Sequence, residues 1–398
     1  MHQYRVMNVA TLLLWCLVPG QLSVVSAEPY HPTDDRHVLE RLTVKATDPV
    51  ARELAALRTD LQRHPRNLES AVKLAARYIE QGRSEGDPRF LGQAQAVLAP
   101  WWDDPAAPPA ILILRATIKQ NAHEFGPALL DLDRALTAQP TNIQAWLTKA
   151  SILQVQARYP EARRACQLLT RFAARHIALA CLTDIEGLTG HVTQNRRLLR
   201  TILEQSNIPD RERIWIFTIL GELAARVGDT QEAEQSYREA IAVGIKDQYL
   251  LGAYADFLLD QDRYQEVVRV LTPETKTDGL LLRLALAEQA LHLPASKDHS
   301  AELAARFTAS RDRGTRVHLR EEARFTLALQ HDPNTALALA QANWTVQKEP
   351  WDARLLLESA LAAGNPRAAR PVIEWLTSNQ IPDLRLRALA QQVQGGSF

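Results

Sequence analysis

From about residue 49 to the C-terminus, apolar side chains recur at steps of three and four residues, in stretches of roughly a dozen broken by short polar, glycine- or proline-bearing turns. That spacing is the helical one, and the two-residue alternation of a strand is absent. The pattern predicts about twenty helices, each connected to the next by so short a turn that neighbours must run antiparallel. The first is Pro49 to Arg63 and the last Pro382 to Gln394, both amphipathic. A stacked array needs such pieces at its ends, because nothing packs outside them. Asp48-Pro49 and Asp87-Pro88 read as helix starts, with aspartate as the cap and proline in the first turn.

The pattern also repeats at a longer period. Its clearest unit is IWIFTILGELAARVGDTQEAEQSYREAIAVG, from Ile214 to Gly244. Small Gly221 and Ala233 let two antiparallel helices approach, while Phe217, Leu220 and Tyr237 fill the seam between them. Gly228-Asp229 makes the turn. With Ala240 and Glu232, these residues fall where the tetratricopeptide repeat places its signature, and the unit resembles that repeat closely. Similar copies follow and precede it. One carries Leu251, Tyr254, Ala255, Leu258, Tyr264, Val267 and Leu271. A second carries Leu112, Ala116, Phe125, Ala128, Leu132, Ala135 and Pro140, and a third Trp146, Ala150, Leu153, Tyr159, Ala162 and Cys166. A looser copy has Ala71, Leu74, Ala75, Tyr78 and Gly82, with an insertion at Pro88 to Ala99.

The expected organisation is therefore a signal peptide over 1–27, an N-terminal arm and capping helix over 28–66, and repeats over 67–273. The copies lie near 68–99, 109–140, 143–170, 176–205 (degenerate), 214–244 and 248–271. Degenerate helix pairs and a C-terminal cap fill 274–398. The resemblance implies an all-α solenoid, a right-handed superhelix whose concave face is lined by the first helix of each pair. The family's groove positions, carried onto this chain, are Ile113, Thr117, Gln120 and Asn121, then Gln144, Leu147, Ser151 and Gln154. Trp215, Thr218, Glu222 and Arg226 follow, then Tyr249, Asp256 and Asp260. Trp215 and Tyr249, one repeat apart at the same position, would form an aromatic ledge suited to a peptide or protein segment. Equally, such rings pack against their own neighbouring helices. A subclass of the family clamps acidic C-termini with Lys and Asn. Here one clamp position holds Val72, Ile113, Leu147, Thr218 and Gly252, so that mode is set aside.

The first residues change the compartment. Arg5, the apolar run Val6 to Val18, Pro19-Gly20 and Val25-Ser26-Ala27 before Glu28 read as a cleaved signal peptide. The apolar run is too short to span a bilayer comfortably, and no later stretch is long enough either. Export would leave 45 basic against 46 acidic side chains, two cysteines and no methionine. So balanced a chain lacks the basic footprint of a nucleic-acid or membrane-surface binder. A similarity to uncharacterised tetratricopeptide proteins of bacterial envelopes, in AYADFLLD from Ala253 and ANWTVQKEPWDARLLLESALAAG from Ala342, points to the periplasm or secretion. Cys166 and Cys181 lie symmetrically about the turn Arg171 to His176, which places them side by side on antiparallel helices and predicts a disulfide in an oxidising compartment.

Candidate chemistry is thin. Ser70-Ala-Val-Lys73 spells a penicillin-binding motif but lacks its partner motifs. His31, Asp34, Asp35 and His37 form a polar arm with loose metal-binding potential. His318, Glu321 and Glu322 share a helix face, and Asn343-Trp344-Thr345 is a glycosylation sequon by spelling only. No cofactor is expected, and no catalytic set stands out. The leading expectation is a non-catalytic envelope scaffold that holds a protein or peptide in its concave groove. The alternative is a binder of cell-wall glycan or another small envelope ligand, with Trp101, Trp102, Trp344 or Trp351 as stacking platforms.

Overall fold

The computed structural model describes residues 34, 37, 49–204, 207–314 and 318–395. The signal-peptide segment, His31 and Asp35 lie outside them. The chain divides into units 1–42 and 43–398. In the first, the His37 amide donates to the Asp34 carbonyl at 2.9 Å.

The second unit is helical, with twenty α-helices among the described residues. The first, α1 (Pro49–Arg63), caps the array. Five pairs follow: α2 (Leu68–Glu85) with α3 (Arg89–Leu98), α4 (Pro109–Asn121) with α5 (Phe125–Ala138), α6 (Ile143–Val155) with α7 (Tyr159–Leu169), α8 (Arg175–Leu188) with α9 (Val192–Leu203), and α10 (Asp210–Arg226) with α11 (Thr230–Ala242). Four more complete the array: α12 (Gln248–Leu259) with α13 (Tyr264–Leu271), α14 (Asp278–Ala290) with α15 (Ala295–Asp312), α16 (Leu319–Ala328) with α17 (Pro333–Trp344), and α18 (Pro350–Ala362) with α19 (Arg370–Ser378). Last comes α20 (Leu384–Gly395). The first turn of α15 carries charged Lys297 and Asp298, and a short 3-10 turn, Pro366–Ala369, leads into α19.

Local chemistry starts these helices where they start. Asn67, Asn142, Asp229, Asp247, Thr277 and Asp332 each accept a hydrogen bond from the third amide beyond them. The hairpin turn is as regular. Each of the nine pairs carries one residue of positive φ between its helices: Gly86, His123, Ala157, Gly190, Gly228, Asp262, His292, His331 and Gly364. Non-glycine residues in this conformation cost about 1–2 kcal/mol. They persist here because packing on both sides fixes the turn. The pairs with a faded signature therefore turn in the same way as the clear ones. At Gly221 an added Cβ would lie 2.8 Å from the Tyr237 ring, which is why that close helix approach requires glycine.

Consecutive first helices pack side by side from α2 through α18, and α20 continues the row beside α18. The array also returns on itself. α12 touches α2, and the Lys348 amide at the α17–α18 connection donates to the Val155 carbonyl at the end of α6 at 2.7 Å. Arg354 reaches Asp260 at 2.8 Å across 94 residues of chain. Arg211 pairs with Glu80 and Lys276 with Glu85. One apolar core unites Leu153, Tyr159 and Ile185 with Leu356, Trp375 and Leu386. The concave face expected from the sequence is thus curled around a shared interior, because the later helix pairs pack against the earlier ones.

Cys166 and Cys181 are disulfide-bonded with Cα atoms 5.5 Å apart, joining α7 to α8 inside that shared core. The bond closes a loop of sequence separation 15, so the doubly substituted Cys166→Ser, Cys181→Ser chain should lose about 3 kcal/mol of stability in urea unfolding. Unchanged unfolding would show that the bridge constrains little.

Candidate functional site

That interior holds a cavity of about 880 Å³. Its walls come mainly from first helices, joined by Tyr159 of α7, Tyr237 of α11 and connecting residues such as Lys348, Glu349 and Asp383. Nine of the fifteen groove positions carried over from the family line it: Ser151, Gln154, Trp215, Thr218, Glu222, Arg226, Tyr249, Asp256 and Asp260. Asn121 and Gln144 do not. Asn121 is exposed at the end of α4 and donates to the Thr117 carbonyl of its own helix at 2.8 Å. Gln144, in the first turn of α6, is exposed and donates to Thr148 at 3.1 Å. Thr117 and Ile113 are buried, Gln120 donates to Ser151 at 3.2 Å, and Leu147 packs against the core.

Asp184, Arg283, Arg320, Lys348, Glu349, Arg354, Asp383 and Arg385 line the cavity too and were not found from the sequence, while Glu321 and Trp351, noted there for other reasons, also line it. Apart from Asp184, they belong to helix pairs whose signature has decayed or to the C-terminal cap, so no register carried groove positions onto them. The periodicity of α14, α16 and α18 alone would have placed Arg283, Arg320 and Arg354 on one helix face each.

Two carboxylates organise the ion pairs. Asp256 is buried and accepts from Arg283 at 2.5 Å and from Arg324 at 2.7 Å. Burial pushes its carboxyl up, but the two guanidinia outweigh that and hold it below the ordinary value. Asp260 pairs with Arg354 at 2.8 Å and Arg385 at 3.1 Å, and there burial wins and raises the carboxyl. Arg320 pairs with Asp352 at 2.5 Å and with Glu349. Trp351 lies in this network with Arg324 and Arg354 each 4.3 Å from its ring centroid.

The α8–α10 side differs. Asp184 accepts from Gln154 at 3.0 Å, and burial raises its carboxyl. Glu222 accepts from the Tyr249 hydroxyl at 2.6 Å, while Arg226 stands 3.5 Å away. Burial pushes Glu222 up to about 7, with Asp184 and Glu349 adding to the rise and Arg226 and the Tyr249 bond opposing it. Tyr249 is 64% exposed and lines the cavity, and the protein packed about it, with the Glu222 carboxylate beside it, drives its hydroxyl well above the usual tyrosine range.

A carboxyl near neutrality is what acid–base chemistry would use, and the hydroxyl that meets it is that of Tyr249. Ser151 accepts from Gln120, and Thr218 donates to the Ile214 carbonyl at 2.8 Å. The other motifs resolve into structure. Ser70 donates to Asp60 and Lys73 pairs with Glu69. Glu322 pairs with Arg311, and the Asn343 side chain is buried against Asp352 at 2.7 Å. Trp344 is buried edge-on to Trp375. The Trp101, Trp102 and Asp104 carbonyls accept from buried Arg115, which also pairs with Asp131 at 2.5 Å.

These features define an all-α, tetratricopeptide-like solenoid curled around a polar, aromatic-bearing cavity. No protein-family model matches the chain, and no curated protein matches it. It is similar to several solved tetratricopeptide structures. With Cut9–Hcn1, a hetero-tetramer of the APC/C, the identity is 13% and the TM-score 0.41, over 86% of this chain and 52% of that one. The chain thus spans about half the length of that protein. A tetratricopeptide repeat protein from Parabacteroides merdae is 17% identical with a TM-score of 0.37, over 72% of this chain and 98% of that one. Yeast Tom70 is 10% identical with a TM-score of 0.23, over 81% and 96%.

Asp256→Asn leaves two buried guanidinia without a full counter-charge and should cost about 3–5 kcal/mol, read as a lowered urea midpoint. Glu222 supplies a pH dependence. Its folded carboxyl titrates at about 7 against an ordinary 4.5, so the folded chain holds the proton more tightly. Stability contributed by this group falls as pH rises from about 4.5 to about 7 and stays low above that. Glu222→Gln should remove its share of that slope and raise stability above neutrality, by on the order of 3 kcal/mol if the whole shift is relieved. Parallel stability–pH curves for the two proteins would refute the assignment.

Proposed function

We propose that this chain is an exported, non-catalytic adaptor whose cavity receives a protein segment or peptide of the cell envelope. Folds of this type commonly mediate protein–protein interaction. The observation that carries the reading is the convergence of Gln154, Trp215, Glu222, Arg226, Tyr249 and Asp256 on one cavity of about 880 Å³. That volume is in the range of sites that enclose small ligands, so it suits a short extended segment and not a folded domain. Paired charges, amide groups and an aromatic ledge match the mixed chemistry of a peptide. The glycan alternative draws less support. Trp344 is sealed against Trp375, and the Trp351 ring already carries two guanidinia. Export is supported by the Met1 to Ala27 pattern and by a disulfide in a chain with one cysteine pair after that segment.

A photo-crosslinking side chain at Tyr249, incorporated in living cells, tests both parts in one experiment. The chain recovered from envelope fractions should begin at Glu28 and carry peptide adducts of defined sequence, lost when Trp215→Ala is added. Carbohydrate adducts alone would transfer the case to the glycan reading. A chain that keeps Met1 would overturn export.

A further inference from the structure

Among the carboxylates that line the cavity, four stand on neighbouring first helices: Asp184 on α8, Glu222 on α10, Asp256 on α12 and Asp260 at its end. They are not answered alike. Four arginines close on the α12 pair: Arg283 and Arg324 on Asp256, Arg354 and Arg385 on Asp260, all within 3.1 Å. On the α8–α10 side, among the described residues, no arginine or lysine makes an ion pair with Asp184, whose partner is the neutral amide of Gln154. Glu222 has only Arg226, 3.5 Å away. That arginine is itself poorly engaged, because its Nη1 is buried without a hydrogen-bond acceptor. A buried carboxylate left without a counter-charge is costly, and an arriving cation relieves the cost.

The same corner supplies aromatic surface. Trp215 is half-buried, and Tyr249, 64% exposed and lining the cavity, has its hydroxyl turned to Glu222. Rings beside carboxylates are the usual composition of a site for an organic cation. Elsewhere in the cavity that composition is already satisfied from within. Arg324 and Arg354 lie over Trp351 and pair with Asp256 and Asp260. The α8–α10 corner has the rings and two acids that share one arginine, Arg226.

We infer that this corner binds an organic cation presented by the incoming segment, a lysine or arginine side chain seated between Asp184 and Glu222 against Trp215 and Tyr249. The inference rests on the cavity's being a peptide site, and it names the chemistry the peptide must carry. A free diamine offers the same ammonium group and is the competing source.

Calorimetric titration of the full chain near pH 8 separates the cases. The probes are Gly-Lys-Gly blocked at both ends, the same tripeptide acetylated on its lysine, and 1,5-diaminopentane. The lysine tripeptide should bind saturably. Acetylation should weaken it about 10- to 100-fold, as should Asp184→Asn or Glu222→Gln alone, since each removes a charged partner. The acetylated probe needs no variant, so the comparison survives if a substituted chain fails to fold. Equal binding of both tripeptides, or no binding by any probe, would overturn the cation site. Saturable binding of the diamine alone, lost in the same variants, would overturn the peptide source. Crosslinks from Tyr249 to peptides lacking basic residues would sink the cation site while leaving the adaptor reading intact.

Discussion

The structure depends on the ion pairs that join the returning helices to the earlier ones, above all those at Asp256 and Asp260. A solenoid is held together by contacts between neighbouring repeats, and such contacts alone leave its concave face open. Here Arg324 reaches Asp256 across 68 residues and Arg354 reaches Asp260 across 94. These pairs tie distant repeats of the stack together around a shared interior. Taking charges from water is expensive unless every partner is present, so closure is strongly tied to register. If the later repeats shifted by one residue, the arginine faces would miss the acids of α12 and the cavity would carry unpaired charge.

Apolar packing makes the same join from the other side. The core that holds Leu153, Tyr159 and Cys166 of the early repeats continues into Leu356, Trp375 and Leu386 of the late ones. The disulfide lies within it. Stiffening α7 against α8 holds Asp184 and Gln154 at fixed positions on the cavity wall, since α6 and α8 flank α7. Polar interior and apolar seam are thus two faces of one closure, and neither would persist without the other.

How much of this was legible in the sequence follows from what each residue reports. Gly221 and Tyr237 are bound by a mutual steric requirement, so the repeat around them stays close to its signature and could be read directly. The turn residues His123, Ala157, Asp262, His292 and His331 adopt the glycine conformation without being glycine. A reader of sequence therefore loses the turn there, although the chain does not. Groove positions carried from clear repeats found Glu222, Tyr249 and Asp256. They could not find Arg283, Arg320 or Arg354, because a decayed repeat has no register to carry. The stretch from Lys348 to Arg354 was conspicuous as sequence, yet its role as the facing wall appears only once the array closes. Closure is a long-range event, and local periodicity holds no record of it.

Closure also decides what can enter. An open solenoid offers a groove that a long partner lies along, with affinity spread over many repeats. A closed one offers a volume, and a ligand in it meets walls from both halves at once. Affinity then comes from a few groups fully surrounded by protein, where charge–charge terms are stronger than at a surface. Tyr249 shows the difference. Its side chain is exposed and lines the cavity, yet its hydroxyl and the Glu222 carboxyl both respond as buried groups. Any ligand that reaches them also spans the join between early and late repeats. The ion pairs at Asp256 and Asp260, which tie the early repeats to the late ones, therefore also fix the walls that surround the cavity.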